Sequence, residues 1–146
     1  MDFIWTGILS ERQLLARKGA LETFDIGGLL NLVKRVAEED LVFYPKFDRA
    51  RDLSLAGAGA IANDCDTIII EGNYLLNAAP IWCELSQYWD LSVQIDIPIT
   101  VLEERLIRRW LSLGLSLDQA TARAKENDLV NAEVVRSTSG AADITI

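Results

Sequence analysis

A chain of 146 residues is long enough to bury one hydrophobic core, and 50% hydrophobic with 25% charged residues is ordinary for a globular domain. The formal net charge of −8 leaves no basic excess to meet nucleic-acid phosphates, and the lack of any histidine excludes His-based triads and His-ligated metals. No apolar run is long enough for a bilayer span and no secretory signal opens the chain, so a cytoplasmic location with no membrane partner is expected. Cys65 and Cys83 lack metal-ligand spacing and read as two buried thiols.

In chain order, Asp25 caps a predicted helix from Ile26 to about Ala37, with Leu29, Leu30, Leu32, Val33 and Val36 on its apolar side. The Gly27-Gly28 pair weakens its first turn. Leu41 to Tyr44 reads as a short strand stopped by Pro45, and the residues around Gly57 and Gly59 as a small exposed ribbon. Thr67 to Ile70 is a short continuous apolar run, the pattern of a fully buried strand. A short helix around Trp82 to Tyr88 follows, then a strand from Leu91 to Asp96.

Thr100 with Glu103 reads as a capping box opening a helix whose Leu102, Leu106, Trp110 and Leu113 share one face, with Gly114 ending it. Ser116 with Gln119 reads as a second capping box, for a helix through about Lys125. A last helix near Ala132 to Arg136 leads to a terminal strand, Asp143 to Ile146. Alternating strands and helices predict an α/β fold with a mostly parallel sheet, in a single domain covering residues 1–146.

Glu71 closes the Thr67–Ile70 run and is followed by Gly72-Asn73-Tyr74. An acid at the carboxyl end of such a strand lies at the rim of the sheet, where open α/β folds bind ligands. Arg105 and Arg109 are one helical turn apart and can converge on one anion, with Arg123 on the next helix. Taken alone, that pattern favours a solvated basic face paired with Glu103 and Glu104. Arg17-Lys18 and Tyr44-Pro-Lys-Phe-Asp48-Arg49 put mixed charges beside aromatics in loops, as a small polar substrate requires, although turn chemistry explains most of both. Asn127 and Asn131 lie in a helix–helix turn or in a ligand-contacting loop, and Trp82, Trp89 and Trp110 read as core.

Taken in order, Arg17-Lys-Gly-Ala, Glu22-Thr-Phe-Asp25, Tyr44-Pro-Lys-Phe-Asp48-Arg49, Ile70-Glu-Gly-Asn-Tyr-Leu75, Leu102-Glu-Glu-Arg-Leu-Ile-Arg-Arg-Trp110 and Asn127-Asp-Leu-Val-Asn131 resemble the uridine kinase/pantothenate kinase group of P-loop kinases. The branch called fructose-transport-system kinase is the nearest in pattern. The resemblance implies a P-loop NTPase-like parallel sheet with flanking helices, ATP and Mg²⁺ as cofactors, and a small-molecule hydroxyl (sugar, nucleoside or pantothenate-like) as acceptor. It implies that Glu71 is the acid acting on Mg²⁺ through water, and that Arg105, Arg109, Arg123, Asn127 and Asn131 belong to the nucleotide side, in lid helices at about 100–136. Arg17, Lys18, Tyr44, Asp48, Arg49, Asn73 and Tyr74 then face the acceptor.

The departures from that family are as specific as the matches. No Gly-x-x-x-x-Gly-Lys-[Ser/Thr] phosphate loop occurs in the 146 residues, and the family's first strand and first helix have no counterpart. Where the family carries Asp-Gly-Phe-His-Leu-Asp with its general base, this chain reads Met1-Asp2-Phe3-Ile4-Trp5-Thr6. The codons GAT GGA TTT CAT CTG GAC spell the family motif, and a shifted frame of the same string spells Met-Asp-Phe-Ile-Trp. That predicts Asp2 to be an out-of-frame residue rather than the base, which reading the genomic DNA tests.

In such a fold the missing first strand lies between the strands at Thr67–Ile70 and Ser92–Ile95, leaving both with an unpaired edge open to self-association. The expectation is a kinase-derived chain that is inactive alone. The alternatives are a non-catalytic small-molecule-binding or regulatory module, or a generic α/β domain of remote resemblance.

Overall fold

The computed structural model describes residues 6–48, 50–51 and 53–146, with side chains from Ile8 onward; Asp2 and Arg49 lie outside the described residues. Two compact units divide the chain between Asp90 and Leu91.

The first unit opens with helix α1 (Thr6–Glu11) and two single-turn 3₁₀ helices, Leu15–Arg17 and Leu21–Thr23. Helix α2 (Ile26–Glu38) starts where a capping residue demands it, with the Asp25 carboxylate accepting from the Gly28 N–H at 2.9 Å. Its Leu32 and Val33 are buried, and the helix packs on strand β1 and on a 3₁₀ helix at Trp82–Tyr88. Strands β1 (Leu41–Asp48) and β2 (Leu53–Ala62) form an antiparallel hairpin, more extensive than the short strand and ribbon expected.

Pro45 does not stop β1. The pairing is regular from Leu41↔Ala62 to Tyr44↔Gly59, then resumes at Lys46↔Leu55. A bulge containing Gly57, at φ +63°, lies opposite the one residue that has no N–H to give a ladder.

The aromatic part of this unit's core is a triangle. Phe24, Tyr74 and Trp82 meet edge to face with ring centroids 5.6, 5.7 and 6.2 Å apart. Leu85 is fully buried, and the buried Asn77 holds the neighbouring turn by accepting from the Ala79 N–H at 2.8 Å.

Thr67–Ile70 is extended but is not a buried strand. It forms no ladder with any described strand, and Ile68 and Ile69 are 40% and 89% exposed. The run has the composition of a strand covered on both faces, but no described strand pairs with it. Both cysteines are also exposed, against expectation. Cys65 sits in the turn leaving β2, and Cys83 falls between the inward-facing Trp82 and Leu85 on the outer side of its 3₁₀ helix.

The second unit pairs β3 (Val93–Gln94) in parallel with β4 (Ile144–Thr145). Asp143 locks this pair, its carboxylate accepting from the Ser92 N–H at 2.8 Å and from the Ser92 hydroxyl at 2.6 Å. Helix α3 (Ile99–Ser112) begins at Ile99 with Pro98 as N-cap, so the expected Thr100–Glu103 capping box does not form. Thr100 already lies inside the first turn, where proline's fixed φ has set the entry.

Gly114 at φ +91° ends α3 as expected, with the Leu115 N–H reaching back to the Trp110 carbonyl at 3.2 Å. The Ser116–Gln119 capping box is present and opens α4 (Leu117–Arg123). A π-helical turn at Ala124–Asp128 then runs into α5 (Leu129–Thr138), longer than the expected helix at Ala132–Arg136. Ala120 and Ala124 are fully buried, and their small side chains let α4 and the π turn approach α3 closely. The α/β class thus holds, with two small sheets and flanking helices.

Candidate functional site

Glu71, Asn73 and Tyr74 come together with Tyr44 around one cavity of about 420 Å³ in the first unit. The floor is apolar, from Leu29, Leu32, Val33 and Val36 of α2 and from Ile68, Ile69 and Ile70. Asp25 also borders it, a residue the motifs place nearby but the capping role hides. Glu71 and Asn73 are exposed at the rim, whereas Tyr74 is 2% exposed and belongs to the wall. Its hydroxyl donates to the Gly19 carbonyl at 3.1 Å, tying the Glu71–Tyr74 segment to the loop that carries Arg17 and Lys18. Burial, and then the negative charge of Glu22, push the Tyr74 phenol up to about 12, so this hydroxyl is a fixed donor at neutral pH.

The other residues expected to face an acceptor are engaged in local structure. Arg17 pairs with Glu22 at 3.5 Å, and the Lys18 ammonium sits 5.2 Å from the centre of the Phe47 ring. Asp48 shapes the hairpin turn, accepting from the N–H groups of Ala50 and Arg51 at 2.9 and 3.1 Å. Tyr44 lies beneath Lys46 and against Gly59, where a side chain would strike the Tyr44 ring at 2.6 Å from its Cε2.

In the second unit the arginines are organised by a residue read as core. Trp110 is half-buried rather than interior. The Arg109 and Arg123 guanidinium groups lie 5.8 and 5.3 Å from its ring centroid. The indole N–H donates to the Asp128 carboxylate at 2.6 Å, and the other Asp128 oxygen accepts from the Asn127 amide at 3.2 Å. Asn127 and Asn131 are both buried in or beside the π turn. Lys125 pairs with Glu103 at 3.2 Å, a second link from the π turn to α3. Arg105 is exposed on α3, outside the Trp110 cluster. The adjacency of Arg109 and Trp110 was visible in the sequence; the arrival of Arg123 and Asp128 at the same ring was not.

The chemistry of these donor sets differs. Two guanidinium groups on one ring suit a polyphosphate anion. Among the described residues no group of three or more His, Cys, Asp or Glu side chains could hold a metal ion. Glu71 alone offers one carboxylate, so most of the roughly six oxygens magnesium takes would have to come from water or phosphate. The described residues therefore fit part of a nucleotide site and not the whole of one.

No protein-family model matches the chain. Individual relatives do. The chain is 34% identical to the uncharacterized protein YggC of Escherichia coli over 138 residues, covering 94% of this chain and 57% of that protein. It is 34% identical to the ATP-dependent kinase-like protein notR′ of Aspergillus versicolor over 125 residues, covering 80% of this chain and 72% of the relative. Its fold superposes with a TM-score of 0.93 on a crystal structure from Silicibacter sp. TM1040 given the name fructose transport system kinase. That match has 45% identity over 99% of this chain and 70% of the other.

Fold and matches together define a nucleotide-dependent kinase class. The chain belongs to the uridine kinase/pantothenate kinase-like family of P-loop kinases. It spans 57% of the length of YggC and of a uridine kinase relative from Schizosaccharomyces pombe. Among the described residues no helix is long and apolar enough to cross a membrane.

Proposed function

We propose that this chain carries the acceptor-side and lid residues of a cytoplasmic, ATP-dependent phosphotransferase acting on a small-molecule hydroxyl, and that alone it transfers no phosphate. The observation that carries the reading is the gathering of Arg109 and Arg123 on Trp110, in a chain whose relatives include ATP-dependent kinase-like proteins. Glu71 is the metal-facing acid in this reading, working through water; Arg105, Asn127 and Asn131 complete the nucleotide side. Arg17, Lys18, Tyr44, Asp48, Arg49 and Asn73 face a sugar, nucleoside or pantothenate-like acceptor, with Tyr74 holding their frame.

Phosphoryl transfer depends on positioning and charge stabilisation by all parts at once. The 146 residues contain no phosphate loop, so the surviving parts are expected to bind without turning over. The test is calorimetric titration with ATP and Mg²⁺, paired with a phosphate-transfer assay against fructose, uridine and pantothenate. Turnover by this chain alone would overturn the inactive reading.

One observation favours the second reading, a small-molecule-binding module without catalysis: the 420 Å³ cavity with Glu71 and Asn73 at its rim is within the size range of ligand pockets. Saturable binding of a sugar or nucleoside in the absence of ATP would select it. Self-association through the unpaired Thr67–Ile70 run belongs to either reading.

A further inference from the structure

Two like charges do not gather on one side chain without a cause. Arg109 comes from the last turn of α3 and Arg123 from the end of α4, so no helical spacing brings them together. What they share is the Trp110 ring, whose electron-rich π system attracts both guanidinium groups. The ring is itself held in place. Its N–H donates to Asp128 at 2.6 Å, and Asp128 is steadied by the buried Asn127. The π turn at Ala124–Asp128 changes the helical register there, and Asp128 at its end reaches α3.

We infer that Trp110 is a positioning residue for an oligophosphate site: anchored by Asp128, its ring holds Arg109 and Arg123 as one anion-binding pair. This rests on the lid reading above and deepens it. Arginine loses rotamer freedom when it grips a ligand, and a ring that already restricts two of them lowers that ordering cost. The overall charge of −8 repels polyanions, so affinity for one must come from such a local arrangement rather than from the whole surface.

The experiment is calorimetric titration of the full 146-residue chain with sodium tripolyphosphate at low ionic strength, alongside R109A, R108A, W110F and W110L. Arg108 is exposed on the same helix and carries the same charge without touching the ring, so it controls for generic attraction. Binding by the wild-type chain is expected, little changed in R108A and strongly weakened in R109A. W110L should weaken it about tenfold, as having to order two freed arginine side chains on binding implies, and W110F, which keeps a ring but not the N–H, should fall between.

Circular dichroism melts separate folding from binding, because a purely structural tryptophan would lower the melting temperature and leave the affinity of the folded chain alone. If W110L does not fold, W110F decides: a weakened affinity supports the inference and an unchanged one overturns it. Wild-type affinity in folded W110L, or equal losses in R108A and R109A, overturns the inference while leaving the lid reading standing. No binding by the wild-type chain overturns both.

Discussion

Tyr74 should make the chain sensitive to alkali in a way that a single substitution removes. Its phenol is raised from 10.0 to about 12, first by burial and then by Glu22, with Arg17 opposing. In the unfolded chain the same group ionises near its ordinary value. Below about pH 10 both states hold the proton and folding is unaffected. Between about pH 10 and 12 the unfolded state has lost its proton while the folded state keeps it, so stability falls as pH rises.

A shift of this size corresponds to about 2–3 kcal/mol, lost across that window. Tyr74→Phe removes the ionisation and also the hydrogen bond to the Gly19 carbonyl, which costs about 1 kcal/mol at neutral pH. Urea denaturation should therefore show wild type the more stable near neutrality and Tyr74→Phe the more stable in strong alkali. Subtracting the two curves cancels lysine and arginine titration. Absorbance near the tyrosinate band should show a late-ionising component that is absent from the variant. A difference between the two proteins that does not change with pH, or the lack of that late component, would refute the reasoning.

Two further expectations concern packing and surface. Leu85 is 0% exposed, so Leu85→Ala should cost about 2–5 kcal/mol in chemical denaturation. A loss under about 1 kcal/mol would mean that this side chain is not packed in the core. Ile69 is 89% exposed on an unpaired extended run, so Ile69→Lys should leave monomer stability within about 0.5 kcal/mol and suppress self-association measured by light scattering. Unchanged association in that variant would place the sticky surface elsewhere.

The helical half of the chain was legible because its signals are local. Asp25 caps α2 through the N–H three residues on, Ser116 and Gln119 satisfy each other within one turn, and Gly114 takes a backbone angle that favours glycine. The Thr100–Glu103 pair shows the limit of that reasoning. Its spacing was right, but Pro98 had already set the helix start two residues earlier, and a side chain inside the first turn cannot cap it. Likewise Pro45 removes one ladder donor, which ends a strand only if the partner cannot bulge away; here β2 does so at Gly57.

Site geometry was less legible for a different reason. Thr67–Ile70 has the composition of a buried strand, yet burial is a property of neighbours, and a sequence pattern cannot report whether the neighbouring strand is there. The arginines carried the converse ambiguity. From spacing alone, Arg105 and Arg109 were the natural pair, one turn apart on α3, and Trp110 belonged to the apolar stripe. The π turn changes that pairing. By bringing Asp128 to the indole N–H, it fixes the ring at the border between core and surface, and Arg109 and Arg123, from two helices, both lie against that ring. A local distortion with no periodic signature thus separates a solvated basic face from two cations gathered on one ring, and substitutions at Trp110 are where those two states of the helix surface differ most.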